Sequence, residues 1–193
     1  MRAAPLLLLA LSLPAPALGQ GAAPPPAPPG QRNPAEELDR AFAALREAPD
    51  EQGGRMAEAV IRQIWSRQAT PAVGLLLNRG VRNLRAQQPG DALEDFDAAI
   101  TLAPRLADAW YWRAQAYSAA QDAGGAARDL AECLRLEPRH WPALVALSRL
   151  QEGRGDLAGA LRSFEAAIAI HPTMPGGRHQ LQELRRKAEG DDT

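Results

Sequence analysis

Few residues in this chain are of a type that could do chemistry, and their spacing points away from catalysis. Cys133 is the single cysteine, so no internal disulfide can form. A thiol attacks as the thiolate, beside a base, and no histidine falls on the matching face of a neighbouring helix. Cys133 therefore reads as a buried, inert packing residue. Histidines that share a metal on one helix need a spacing of about three or four residues. His140, His171 and His179 have no second histidine at such a distance and read as surface residues. Glu94, Asp95 and Asp97 could divide acid–base work only in a closed pocket that sets their pKa values apart. Crowded on one helix, they read as a solvated or ion-paired face. No glycine-rich phosphate loop, nucleophile elbow or metalloprotease motif occurs. The expectation is a chain without catalytic residues, metal or cofactor.

What the sequence does hold is a period. Ala92, Ala126 and Ala160 stand 34 residues apart, as do Phe96, Leu130 and Phe164, then Ala99, Cys133 and Ala167, then Pro104, Pro138 and Pro172. Such a period marks stacked supersecondary units, none of which buries a core alone. The small, large apolar, small and proline positions resemble those of the tetratricopeptide repeat (TPR) family over residues 73–174. That resemblance implies an all-α fold: helix-turn-helix repeats at 73–106, 107–140 and 141–174, stacked in a short right-handed solenoid with helical caps. Gly80, Ala114 and Ser148 are the small residues that let the two helices of a unit approach. Pro89-Gly90-Asp91, Gly124-Gly125 and Gly155-Asp156 mark the turns. Trp110 and Tyr117 match the family's tryptophan and tyrosine, where the other repeats carry Leu76, Leu144, Asn83 and Gln151.

In the same register the seventh position reads Arg79, Arg113, Leu147, and the twenty-third reads Asp95, Asp129, Ser163. Arginine and aspartate occur together and vanish together. This predicts an ion pair between the two helices of repeats one and two.

The resemblance also implies a concave groove, lined by the first helix of each repeat, that binds a protein or peptide partner. Its lining would be Gly74, Leu77 and Val81, then Asp108, Tyr111 and Gln115, then Pro142, Val145 and Arg149. This set is apolar at one end, polar with an aromatic in the middle, and carries an arginine at the far end. The lysine and asparagine set with which family members clamp a terminal carboxylate is missing, so an apolar or amphipathic segment is the expected ligand. Adjacent helical residues point in different directions, which divides Trp110-Tyr111-Trp112. Trp110 is expected inside and Tyr111 in the groove, as an anchor whose removal leaves the melting temperature unchanged. Trp112 either joins it or covers a neighbouring helix.

The flanks are read from composition. Arg2, the apolar run Leu6–Leu13 and the small residues around Ala17-Leu18-Gly19 suit a signal peptide at 1–19, cleaved after Gly19. Export, and in a Gram-negative cell the periplasm, would follow. The run is too short to span a bilayer. Residues 20–33 read as a proline- and alanine-rich tether. Residues 34–71 read as a helical hairpin that caps the stack as a degenerate repeat, its second helix carrying Met56, Val60, Ile61, Ile64 and Trp65 on one face. Residues 175–189 suit a capping helix, and 190–193 a disordered tail. A formal net charge of −1 offers no footprint for nucleic acid. The expected function is a non-catalytic scaffold or adaptor of the cell envelope. The alternative is an accessory subunit of an envelope machine such as cytochrome maturation or outer-membrane assembly.

Overall fold

The computed structural model describes residues 33–190; the expectations for the leader, most of the tether and the last three residues lie outside them. Among the described residues every regular element is a helix. The order is α1 (Pro34–Arg46), α2 (Glu51–Ser66), α3 (Pro71–Arg85), α4 (Pro89–Leu102), α5 (Ala107–Ala119), α6 (Ala123–Leu136), α7 (Trp141–Gly153), α8 (Leu157–Ile170) and α9 (Gly177–Glu189). None is long and apolar enough to cross a membrane.

Local chemistry sets the helix starts. Asn33, Asp50, Thr70, Asp122 and Asp156 each accept a backbone N–H of the first turn that follows, and Pro34, Pro71 and Pro89 open α1, α3 and α4. In repeat three Gly155-Asp156 forms the turn as composition puts it, and in repeats one and two the turns lie slightly upstream. Pro89–Asp91 and Gly124–Gly125 belong to the first turns of α4 and α6. The left-handed residue is instead the fifteenth of each repeat: Gln87 (φ 58°), Gln121 (φ 62°) and Gly155 (φ 78°). Only the third repeat uses the residue that adopts this conformation at no steric cost.

Helices α3–α4, α5–α6 and α7–α8 pair as the three repeats. The small positions let the paired helices approach: a Cβ at Gly80 would stand 2.5 Å from Phe96 Cε1, and Ser148 donates its hydroxyl to Ala160 O at 2.8 Å. The third position packs each unit on the one before it. Ala109 lies with Val73 and Ile100, and Ala143 with Leu130 and Cys133. Leu75 holds that position in repeat one and is 71% exposed, so the face of α3 that a preceding repeat would cover is open. At the other end Leu181 and Leu184 of α9 close over Phe164.

The hairpin α1–α2 does not extend this stack. Its apolar face, with Leu38, Phe42, Leu45, Ile61, Ile64 and Trp65, packs with Trp141 and Ala167 of repeat three. The hairpin expected to cap the stack is thus folded back onto the third repeat. Met56 and Val60 are exposed, at 67% and 43%, because they point away from that face.

Candidate peptide-binding groove

The row of connections between repeats positions the site. His140 ends the second connection, beside Trp141 at the start of α7, and His171 to Thr173 lie in the third. Helix α2 lies along this row. Glu58 Oε2 is 3.5 Å from His171 Nε2. A Cβ on Gly54 would collide with Thr173 Oγ1. Trp65 stacks on His140, with centroids 4.6 Å apart and planes at 13°. Past the helix end, Gln68 joins Trp65, Leu106 and Asp108 around a small cavity of about 80 Å³ at the first connection. From Glu58 to Trp65 is seven residues, roughly 10.5 Å of helix rise, and over that length one helix meets both connections.

Aromatic rings join these parts. Centroid separations are 5.2 Å for Trp112–Tyr111, 4.9 Å for Tyr111–His140, 5.3 Å for Trp65–Trp141 and 5.7 Å for Trp141–His171. Phe42 meets Trp65 and Trp141 at 6.0 and 6.2 Å. Such pairs add about 0.5–1.5 kcal/mol each beyond buried area.

His140 and His171 are buried, not surface residues as their spacing suggested; His179 is exposed. His140 Nδ1 accepts Ala143 N–H at 3.1 Å and so caps α7. Its proton is therefore on Nε2, which donates to Asp108 Oδ1 at 2.9 Å. His171 is less well served. Neither ring nitrogen has a hydrogen-bond partner among the described residues, nor does Thr173 Oγ1. A buried polar group left so costs about 1–3 kcal/mol. The His171 ring is the largest influence on Glu58 and holds its carboxyl below the ordinary value; partial burial opposes this, and Arg62 assists.

The groove positions differ in what they do. Leu77 and Val81 are half-buried against Phe96, and Trp112 packs on the same cluster. Trp112 is thus a covering residue that belongs to the seam between repeats one and two. Tyr111 is half-buried between His140 and Trp112, and burial pushes its phenol up, with Arg62, Asp108 and Arg149 as neighbouring charges. It is a packed residue with one accessible side, not a free anchor. Gln115 is half-buried and Arg149 exposed on the same row. Val145 packs against the cluster that the hairpin builds, and so serves the fold. Asp108 is engaged by His140.

The predicted ion pairs form. Arg113 Nε and Nη2 donate to Asp129 at 2.7 and 2.9 Å, and Nη1 to Asp97 at 2.7 Å. Its guanidinium lies 4.9 Å from the Trp110 ring, and the hydrogen bond to Asp129, foremost, raises its pKa. Arg79 Nε donates to Asp95 at 2.6 Å, and Asn83 to the other Asp95 oxygen at 3.0 Å. In repeat three the charges give way to Ser163 and Gln151, 2.6 Å apart. Of the acidic cluster, Asp95 and Asp97 are paired and Glu94 is exposed. Cys133 is fully buried, and burial foremost pushes its thiol far up, away from thiolate chemistry. Among the described residues no cluster could hold a metal.

Sequence reasoning missed His140, His171, Glu58 and Arg62. One signal was available: Gly54 and Ala57 lie on the Trp65 face of α2, and a glycine inside a helix marks close backbone approach.

No family model matches the chain. A TPR repeat-containing protein of Rhizobium etli is 26% identical over 167 residues, 84% of this chain and 82% of that protein. Among solved structures, the Sgt2 TPR domain of Aspergillus fumigatus superposes with a TM-score of 0.59 at 24% identity, covering 63% of this chain and 82% of that one. The first TPR of Spaghetti (RPAP3), bound to the HSP90 peptide SRMEEVD, gives 0.58 at 14% identity over 61% and 94%. With the 34-residue register and the paired helices, these likenesses show that the chain has the helical repeat fold of tetratricopeptide repeat domains.

Proposed function

We propose that the chain is a non-catalytic scaffold that holds a segment of a partner protein on the concave side of its repeats. The observation that carries this reading is the row of groove residues still accessible there. Tyr111 and Gln115 are half-buried, Leu77 and Val81 lie beside them, and Arg149 stands exposed at the far end. An aromatic side with a polar neighbour and a terminal charge suits an amphipathic segment. The Spaghetti domain, of the same fold, binds a peptide, which supports the reading. Val145 drops out of the binding set, because the hairpin's cluster engages it.

A displayed library of short peptides, selected on the full chain, tests this. Gln115→Ala and Arg149→Glu should weaken capture of the selected peptides at an unchanged melting temperature. Selection of nothing, or capture indifferent to both changes, refutes it. Placement in the cell envelope, as adaptor or as accessory subunit, is part of the proposal and rests on the pattern at residues 1–19. Its check is the amino-terminal residue of protein recovered from cells, expected to be Gln20.

A further inference from the structure

The seat under α2 has the character of a binding site. It is built from the second and third connections of the repeats, not from neighbouring sequence. It offers His140 and Trp141 as stacking surfaces for Trp65, and His171 with Thr173 as polar groups. Helix α2 answers with three residues at fixed spacing. Gly54 allows contact with Thr173, Glu58 approaches His171, and Trp65 covers His140. The answer is incomplete. His171 is fully buried, its Nε2 has only the long 3.5 Å approach of Glu58, and its Nδ1 and Thr173 Oγ1 lack hydrogen bonds among the described residues. A resident that leaves buried polar atoms unsatisfied is held less tightly than a fully paired one, which lets a second helix of the same pattern compete for the seat. The hairpin reaches the repeats through residues 67–70 alone, a connection short enough to act as a hinge.

We propose that this seat is a docking surface for an amphipathic helix, occupied by α2 at rest. A partner helix carrying a small residue, an acid four positions on and an aromatic seven beyond that displaces α2 and takes its place. This rests on the proposed scaffold function and names the partner's chemistry.

A fluorescein-labelled peptide of residues 51–66 is the probe, titrated against the full chain. Gly54→Cys with Thr173→Cys provides a lock, since a Cβ at position 54 would stand 3.3 Å from Thr173 Cβ, close to the roughly 3.5–4.5 Å of a disulfide. Cys133, fully buried, does not compete. The reduced double variant should bind the peptide about ten-fold or more tightly than the oxidised one. Trp65→Ala in the chain should strengthen binding, and the same change in the peptide should abolish it. Equal binding by oxidised and reduced forms, binding by no form, or failure of the two cysteines to join overturns the proposal. If library-selected peptides that need Gln115 and Arg149 bind both forms alike while the 51–66 peptide binds neither, the scaffold reading stands and this one falls.

Discussion

Trp65 and His140 lie face to face, 4.6 Å between centroids, although 75 residues separate them in the chain. His140 also caps α7 and holds Asp108 of α5, so this single contact ties the hairpin to two repeats. The stack makes His140 a joint between three elements.

Removing the indole should therefore loosen the hairpin. Trp65→Ala is expected to lower stability by about 3–5 kcal/mol, the range for truncating a buried aromatic. Urea unfolding followed by far-UV circular dichroism measures it. A loss below about 1 kcal/mol would contradict a packed joint.

Arg113 and Asp129 should behave as a coupled pair. In a double-mutant cycle with Arg113→Met and Asp129→Leu the expected coupling is about 1–3 kcal/mol, with each single change worse than the double relative to additivity. The Arg79–Asp95 pair should couple more weakly, because Arg79 is largely exposed, with a side chain 60% accessible. Additive losses at Arg113 and Asp129 would show that packing on Trp110, not charge, holds the arginine.

Stability should carry a signature of Glu58 in acid. Its carboxyl is held below the ordinary value of about 4.5. A carboxyl lowered on folding contributes stability above the unfolded pKa, and the contribution drains away as pH falls through the folded one. The stability difference between wild type and Glu58→Gln should be constant near neutrality, shrink below about pH 4.5, and vanish in stronger acid. Urea titrations at stepped pH read this directly; a difference that grows in acid would reverse the assignment.

Backbone handedness at the fifteenth position predicts a gain. Gln121→Gly and Gln87→Gly relieve a left-handed conformation that costs a side-chain-bearing residue about 1–2 kcal/mol, offset in part by glycine's greater freedom unfolded. A net gain of about 0.5 kcal/mol or more in each is expected. Gly155→Ala should lose stability for the mirror reason. Thermal melts of the three variants settle the point together.

Much of the fold was legible because it is local. The 34-residue register marked Ala92, Phe96, Ala99 and their equivalents as interior, and all of these are buried. The paired appearance of arginine and aspartate pointed to ion pairs that the two helices of a repeat then form. Spacing within a unit fixes which side chains share a face, so periodicity suffices for these statements.

Tertiary structure alone decided where the hairpin goes. The apolar face of α2 was readable, but an apolar stripe does not name the surface it covers. The closed ring cluster of Phe42, Trp65 and Trp141 shows that this surface is repeat three. That choice buried His140 and His171, drew Val145 out of the groove and set Tyr111 in a stack. Sequence determined the repeats, whose contacts lie within one or two units of the chain. Only the closing of distant segments determined what remains of the groove, because that contact answers to shape and not to period.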